Sequence, residues 1–121
     1  MTKTILIVDD SASIRQVSKM VLSNKGFEVM TAEDGLDALK QLNGKKVHLI
    51  ISDLNMPNMD GLTLLKQVRA LADYRFTPFV MLTTESSESF MSQGKAAGAK
   101  AWMVKPFQPD NLLNVVNKLL A

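Results

Sequence analysis

Five short apolar runs punctuate the chain, each followed by a stretch in which apolar residues recur at helical spacing. TILIV (4–8) is apolar and rich in β-branched residues, as expected of a strand buried on both faces. FEVMTA (27–32), VHLIIS (47–52), PFVML (78–82) and AWMV (101–104) predict four further strands. Ser11 or Ser13 suits the cap of a first helix, with Ile14, Val17, Val21 and Leu22 on one side and Gly26 closing it. DGLDALKQL (34–42) reads as a short helix ended by Asn43 and Gly44. LTLLKQVRAL (62–71) reads as an amphipathic helix with Leu62, Leu65, Val68 and Leu71 inward. SESFMSQGKAAGA (87–99) predicts a polar helix rich in small residues, and Pro109 opens a last helix through DNLLNVVNKLL (110–120).

Strands alternating with helices predict an α/β fold, a parallel five-stranded sheet covered by five helices on both faces. No linker, repeat or low-complexity tract divides residues 1–121, so one domain with no attached output domain is expected. Composition narrows the function classes. The 121 residues are 46% apolar, and the net charge of +2 comes from 14 basic and 12 acidic residues scattered along the chain. Nucleic-acid binding calls for clustered basic or interleaved aromatic residues, which are missing, and no apolar stretch approaches a membrane span. The run at 5–8 is too short for a signal peptide. With no cysteine and a single histidine, His48, there is neither a disulfide framework nor a thiolate or His-cluster zinc site. A cytoplasmic location fits this usage.

The candidate chemistry follows the strands. In open α/β sheets, ligands bind outside the carboxyl ends of the strands. The first strand runs into Asp9 and Asp10, the third into Asp53, the fourth into Thr83 and the fifth into Lys105. The second delivers nothing comparable, which suits an outer place in the sheet. Taken singly, Asp9 and Asp10 read equally well as solvated residues capping the next helix; their shared register with Asp53, Thr83 and Lys105 favours a site. Two unit charges 4 Å apart repel by about 1 kcal/mol in water and about 4 kcal/mol at an effective dielectric of 20. One lysine cannot offset three carboxylates, and Mg²⁺, a hard cation that prefers oxygen ligands and retained waters, is the natural complement. Mg²⁺, a lysine and a hydroxyl together suit the holding of a phosphoryl group.

ILIVDDS (5–11), LIISDLNMPNMDG (49–61), VMLTT (80–84) and GAKAWMVKPF (98–107) give the chain a resemblance, over essentially its whole length, to response regulator receiver domains of the CheY type. The resemblance implies a flavodoxin-like sheet of order 2-1-3-4-5. It implies that Asp53 accepts a phosphoryl group from a phosphohistidine on a sensor histidine kinase. Asp10, Asp53 and the backbone carbonyl of Asn55 would ligate Mg²⁺, with Asp9 assisting through water. Lys105 would pair with the carboxylate and then the phosphoryl oxygens, and Thr83 would move to bond the phosphoryl group. Asn55 and Glu85 fall where the family tunes phosphoaspartate hydrolysis, and the Lys105–Pro106 bond would be cis. Two departures stand out. Trp102 occupies a switch position usually held by Tyr or Phe, so inward rotation of the ring is harder; Thr84 replaces a commonly smaller residue and narrows access to the pocket.

The expected function is therefore that of a stand-alone phosphorylation switch, a phosphoacceptor rather than an enzyme. Modification of Asp53 would remodel the face formed by helix 4, strand 5 and helix 5. The expected partners are the kinase, a flagellar motor switch protein in chemotaxis signalling, and a phosphatase, with the protein itself monomeric. A phosphorelay intermediate or phosphate sink is the nearest alternative. An aspartate-nucleophile phosphohydrolase wants a second Asp two residues after the nucleophile, where this chain has Asn55. A flavin module wants a phosphate-cradling loop after strand 1, where Asp9 and Asp10 would repel phosphate.

Overall fold

Two rows of aliphatic side chains, alternating along each strand, sort the structure into two cores. The structure, a computed structural model, describes residues 2–83, 88–105 and 107–120, without the side chains of 88–91. Its elements run β1 (Thr4–Val8), α1 (Ala12–Ser23), β2 (Glu28–Ala32), α2 (Gly35–Leu42), β3 (Leu49–Asp53), α3 (Gly61–Ala70), a 3₁₀ turn (Ala72–Tyr74), β4 (Phe79–Thr83), α4 (Glu88–Ala97), β5 (Ala101–Val104) and α5 (Pro109–Leu120). All strand pairings are parallel and the order is β2-β1-β3-β4-β5, the flavodoxin-like order expected. β2 is an edge strand, in keeping with its lack of candidate chemistry.

Because successive strand residues face opposite ways, Ile5, Ile7, Leu49, Ile51, Val80, Leu82 and Met103 pack on one face with Leu22 of α1 and Leu112 and Val116 of α5. Leu6, Val8, Ile50, Phe79 and Met81 line the other, with Ala38 and Leu42 of α2 and Leu64, Leu65 and Val68 of α3. Trp102 and Ala97 of α4 pack at the margin of this second core. At the other end of the sheet His48 is structural: its Nδ1 accepts the Thr4 N–H at 3.0 Å, while its own N–H donates to the Thr4 carbonyl at 2.8 Å.

Two inward assignments are corrected. Val17 is 42% exposed, and Ser18 with Leu22 forms the buried stripe of α1. Val17 lies about 100° around the helix from Ser18, so burying the Ser18–Leu22 stripe turns Val17 outward. Leu71 caps the end of α3 with an extended backbone and is exposed, whereas Leu64 takes an inward place beside Leu65 and Val68. The contrast in α1 is testable by urea denaturation. Leu22→Ala is expected to cost about 2–5 kcal/mol and Val17→Ser no more than about 0.5 kcal/mol. Equal losses would contradict this helix orientation.

Candidate functional site

The strand register decides which side chains meet. β1 and β3 pair with Val8 beside Ser52, so the following residues, Asp9 just past β1 and Asp53 at the end of β3, are neighbours. β5 pairs with β4 so that Val104 lies beside Thr83, and the Lys105 N–H then donates to the Thr83 carbonyl at 2.8 Å. By strand alternation Asp9, Asp53 and Lys105 all continue the rows that face α1 and α5. Thr83 and Trp102 continue the opposite rows.

Lys105 Nζ sits 2.7 Å from Asp9 Oδ2 and 3.2 Å from Asp53 Oδ2. Asp9 is fully buried, and its other oxygen, Oδ1, accepts the Ser11 N–H at 2.9 Å. Its Oδ2 pairs closely with the ammonium, which engages one lone pair and leaves the other on a buried oxygen. Asp10, by contrast, is exposed. Carboxylate oxygens of Asp9, Asp10 and Asp53 lie within 4.8 Å of one another, a group able to hold a metal ion.

Charge and burial leave their mark on both titrating partners. Burial and the neighbouring Asp9 carboxylate push the Asp53 carboxyl above its ordinary pKa, against the opposing pull of Lys105. Burial works against the Lys105 charge, yet the Asp9 and Asp53 carboxylates outweigh it and raise the lysine. The pocket therefore holds its cation firmly and its central carboxylate reluctantly.

The β3–α3 loop, which carries Asn55, closes tightly over this end of the sheet. The Gly61 N–H donates to the Leu54 carbonyl at 2.8 Å, and a Cβ on Gly61 would stand 2.2 Å from the Asp53 carbonyl oxygen. Only glycine allows that approach. Asn55 itself is exposed. Trp102 lies against α4: a Cβ on Gly94 would come within 2.6 Å of the six-membered ring of the indole.

The structure thus brings together Asp9, Asp10, Asp53 and Lys105, and places Thr83, fully buried, at the end of the adjoining strand. Glu85, Thr84 and the Lys105–Pro106 bond fall outside the described residues. Sequence reasoning missed Arg15, whose guanidinium donates to the Asp9 carbonyl at 2.6 Å, and Asp34 with Asn58, whose side chains bond at 2.8 Å. Arg15 had no signal beyond its place on the first turns of α1. Asp34 could have been read as an N-cap, since Asp37 follows three residues later.

Comparison with known proteins places the chain and its fold in one family. Residues 5–117 match the family model described as the response regulator receiver domain. The chain is 38% identical over 122 residues to the chemotaxis protein CheY of Bacillus subtilis, covering 99% of each. It is 38% identical over 110 residues to chemotaxis protein CheY1 of Helicobacter pylori, covering 89% of each. Among solved structures, chemotaxis protein CheY4 of Vibrio cholerae superposes with a TM-score of 0.95 at 45% identity, over 98% of this chain and 99% of that one.

The electrostatics carry opposite expectations for two substitutions. A carboxyl raised by the fold favours folding below its unfolded pKa and loses that contribution as pH rises through its folded value. In metal-free buffer at pH 7, Asp53→Asn is therefore expected to be more stable than wild type by about 1 kcal/mol, the gap narrowing towards pH 4. Lys105→Met, which strands the buried Asp9 charge, is expected to lose about 3 kcal/mol. Denaturant titration at both pH values checks the pair, and a less stable Asp53→Asn at pH 7 would contradict it.

Proposed function

We propose that this chain, which belongs to the response regulator receiver domain family, works as a two-component switch phosphorylated on Asp53. The observation that carries the reading is the ammonium of Lys105 held between Asp9 and Asp53 at 2.7 and 3.2 Å, beside a third carboxylate. Among the described residues, a single ammonium is ion-paired with these carboxylates, which suits a site that awaits further positive charge.

The residues fit Mg²⁺. The buried Asp9 Oδ2 retains lone-pair capacity, and the donors are all hard oxygens. Asp10 and Asp53, with the Asn55 carbonyl, would hold the ion directly, and Asp9 would act through water. The asymmetry of the pair supports that division: Asp9 is committed to Lys105, Ser11 and burial, whereas Asp10 is exposed. When bound, the ion neutralises charge shared by the carboxylates and the transferring phosphoryl group.

In the transfer, an Asp53 carboxylate oxygen attacks phosphorus of a phosphohistidine. The phosphorus–nitrogen bond breaks, the histidine leaves with the electron pair and takes a proton, and Asp53 becomes an acyl phosphate. Lys105, already 3.2 Å from Asp53, would pair with the phosphoryl oxygens. Thr83 would hydrogen-bond the same group from the end of β4. Hydrolysis with water returns the carboxylate and inorganic phosphate, its rate tuned through Asn55 and Glu85. The chain acts as phosphoacceptor in its own modification and demodification, not as an enzyme on a separate substrate.

The output surface would be the face of α4, β5 and α5. A groove there is lined by Met103, Val104, Phe107, Gln108, Asn111 and Val115, and Val104 is 48% exposed. Trp102 would report on this face through its contact with α4. Kinship with chemotaxis proteins favours a flagellar motor switch protein as the target, with a sensor histidine kinase upstream, a phosphatase downstream and a cytoplasmic setting. No helix among the described residues is long and apolar enough to cross a membrane.

Incubation with Mg²⁺ and acetyl phosphate is expected to yield one base-labile phosphate per chain, lost in Asp53→Asn and on removing Mg²⁺ with chelator. The emission of Trp102, the only tryptophan, is expected to shift on phosphorylation. An unlabelled wild type, or undiminished label in Asp53→Asn, would contradict the assignment.

A further inference from the structure

The loop that carries Asn55 is tied to a helix that no step above uses. Asp34 caps α2: its Oδ1 accepts the Asp37 N–H at 2.8 Å, and its Oδ2 accepts Asn58 Nδ2, also at 2.8 Å. Asp34 is buried, and those hydrogen bonds, the Asp37 N–H foremost, hold its carboxyl below the ordinary range. Asn58 sits at φ 68°, in the left-handed region that asparagine tolerates better than most residues. Next to it, the Met59 side chain fills the space over Gly35, where a Cβ would come within 2.7 Å. Two adjacent loop residues are thus anchored to the first turn of α2, while Gly61 fixes the far end of the loop to Leu54.

We infer that Asp34 and Asn58 are positioning residues for the metal site: their hydrogen bond sets the course of the loop and with it the direction of the Asn55 carbonyl. The inference rests on the reading of that carbonyl as a Mg²⁺ ligand. Neither residue needs to touch the ion. Partners that orient ligands of a metal typically change affinity 10–100-fold when lost. The Asp34 side chain also has a structural duty as an N-cap, so its simple removal would confuse stability with positioning. The bond between the two side chains can be altered with the cap preserved, because asparagine caps a helix as well as aspartate does.

The test is Mg²⁺ binding by calorimetry, with melting temperature measured in parallel, on wild type, Asn58→Asp, Asn58→Gly and the exchanged pair Asp34→Asn with Asn58→Asp. Asn58→Asp sets two carboxylates face to face and is expected to weaken Mg²⁺ about tenfold. Acting through space alone, the added negative charge would instead tighten Mg²⁺, so the sign separates positioning from electrostatics. Asn58→Gly removes the amide at a φ that glycine favours, and is expected to melt within a few degrees of wild type yet bind Mg²⁺ more weakly. The exchanged pair restores one donor facing one carboxylate and is expected to return to within about twofold of wild type. Wild-type binding matched or exceeded by Asn58→Asp, or an exchanged pair that folds without recovering affinity, would overturn the inference alone. A wild type that takes no Mg²⁺ would overturn the metal reading and the inference with it.

Discussion

The ammonium of Lys105 between the carboxylates of Asp9 and Asp53 is the interaction on which the rest of the molecule turns. Parallel pairing of β1 with β3 sets Asp9 and Asp53 side by side at the strand ends, and their mutual repulsion needs a cation. Lys105 reaches both, at 2.7 and 3.2 Å. It neutralises one charge of a cluster that Asp10 brings to three. The strands can end in this way because the aliphatic rows beneath the site are fully buried and fix the register. A one-residue slip of β1 would turn Asp9 to the other face and dissolve the pair.

Around that pair the structure distributes rigidity unequally. Asp9 is held by Lys105, by the Ser11 N–H and, through its backbone, by Arg15. The β3–α3 loop is pinned by Gly61 at one end and by Asn58 and Met59 on α2. Asp10 and Asn55 stay exposed within this frame. Fixed surroundings with open oxygens suit a site that exchanges an ion and a phosphoryl group without rebuilding itself. Trp102 extends the connection outward, since it lies in β5, three residues before Lys105, and rests on α4 at Gly94. Glycine inside a helix costs about 1 kcal/mol relative to alanine, and here it makes room for the indole.

Most of the fold was legible because strand ends and charge changes coincide. TILIV gives way to Asp9, and LIIS to Asp53, so the end of each apolar run and the onset of chemistry fall on the same residues. Helix orientation was less legible. Val17 looked inward by spacing, yet small Ser18 occupies the buried stripe, because burial in α1 is set by packing against the sheet rather than by hydropathy alone. The 3₁₀ turn at Ala72–Tyr74 has no periodic signature to find. In the site, residues that carry charge at strand ends could be named, while those that act through single hydrogen bonds could not. Arg15, Asp34 and Asn58 join segments distant in sequence or use a backbone carbonyl, and neither relation leaves a pattern in one sequence.

In the proposed switch, the three strand-end carboxylates form one oxygen site completed by a divalent cation. Crystals grown with Mn²⁺ in place of Mg²⁺ allow the ion to be located directly by its anomalous scattering. A single peak is expected in contact with carboxylate oxygens of Asp10 and Asp53 and with the Asn55 carbonyl, with water between the ion and Asp9. A pocket that stays empty at saturating Mn²⁺, or an ion bound away from Asp53, would contradict it.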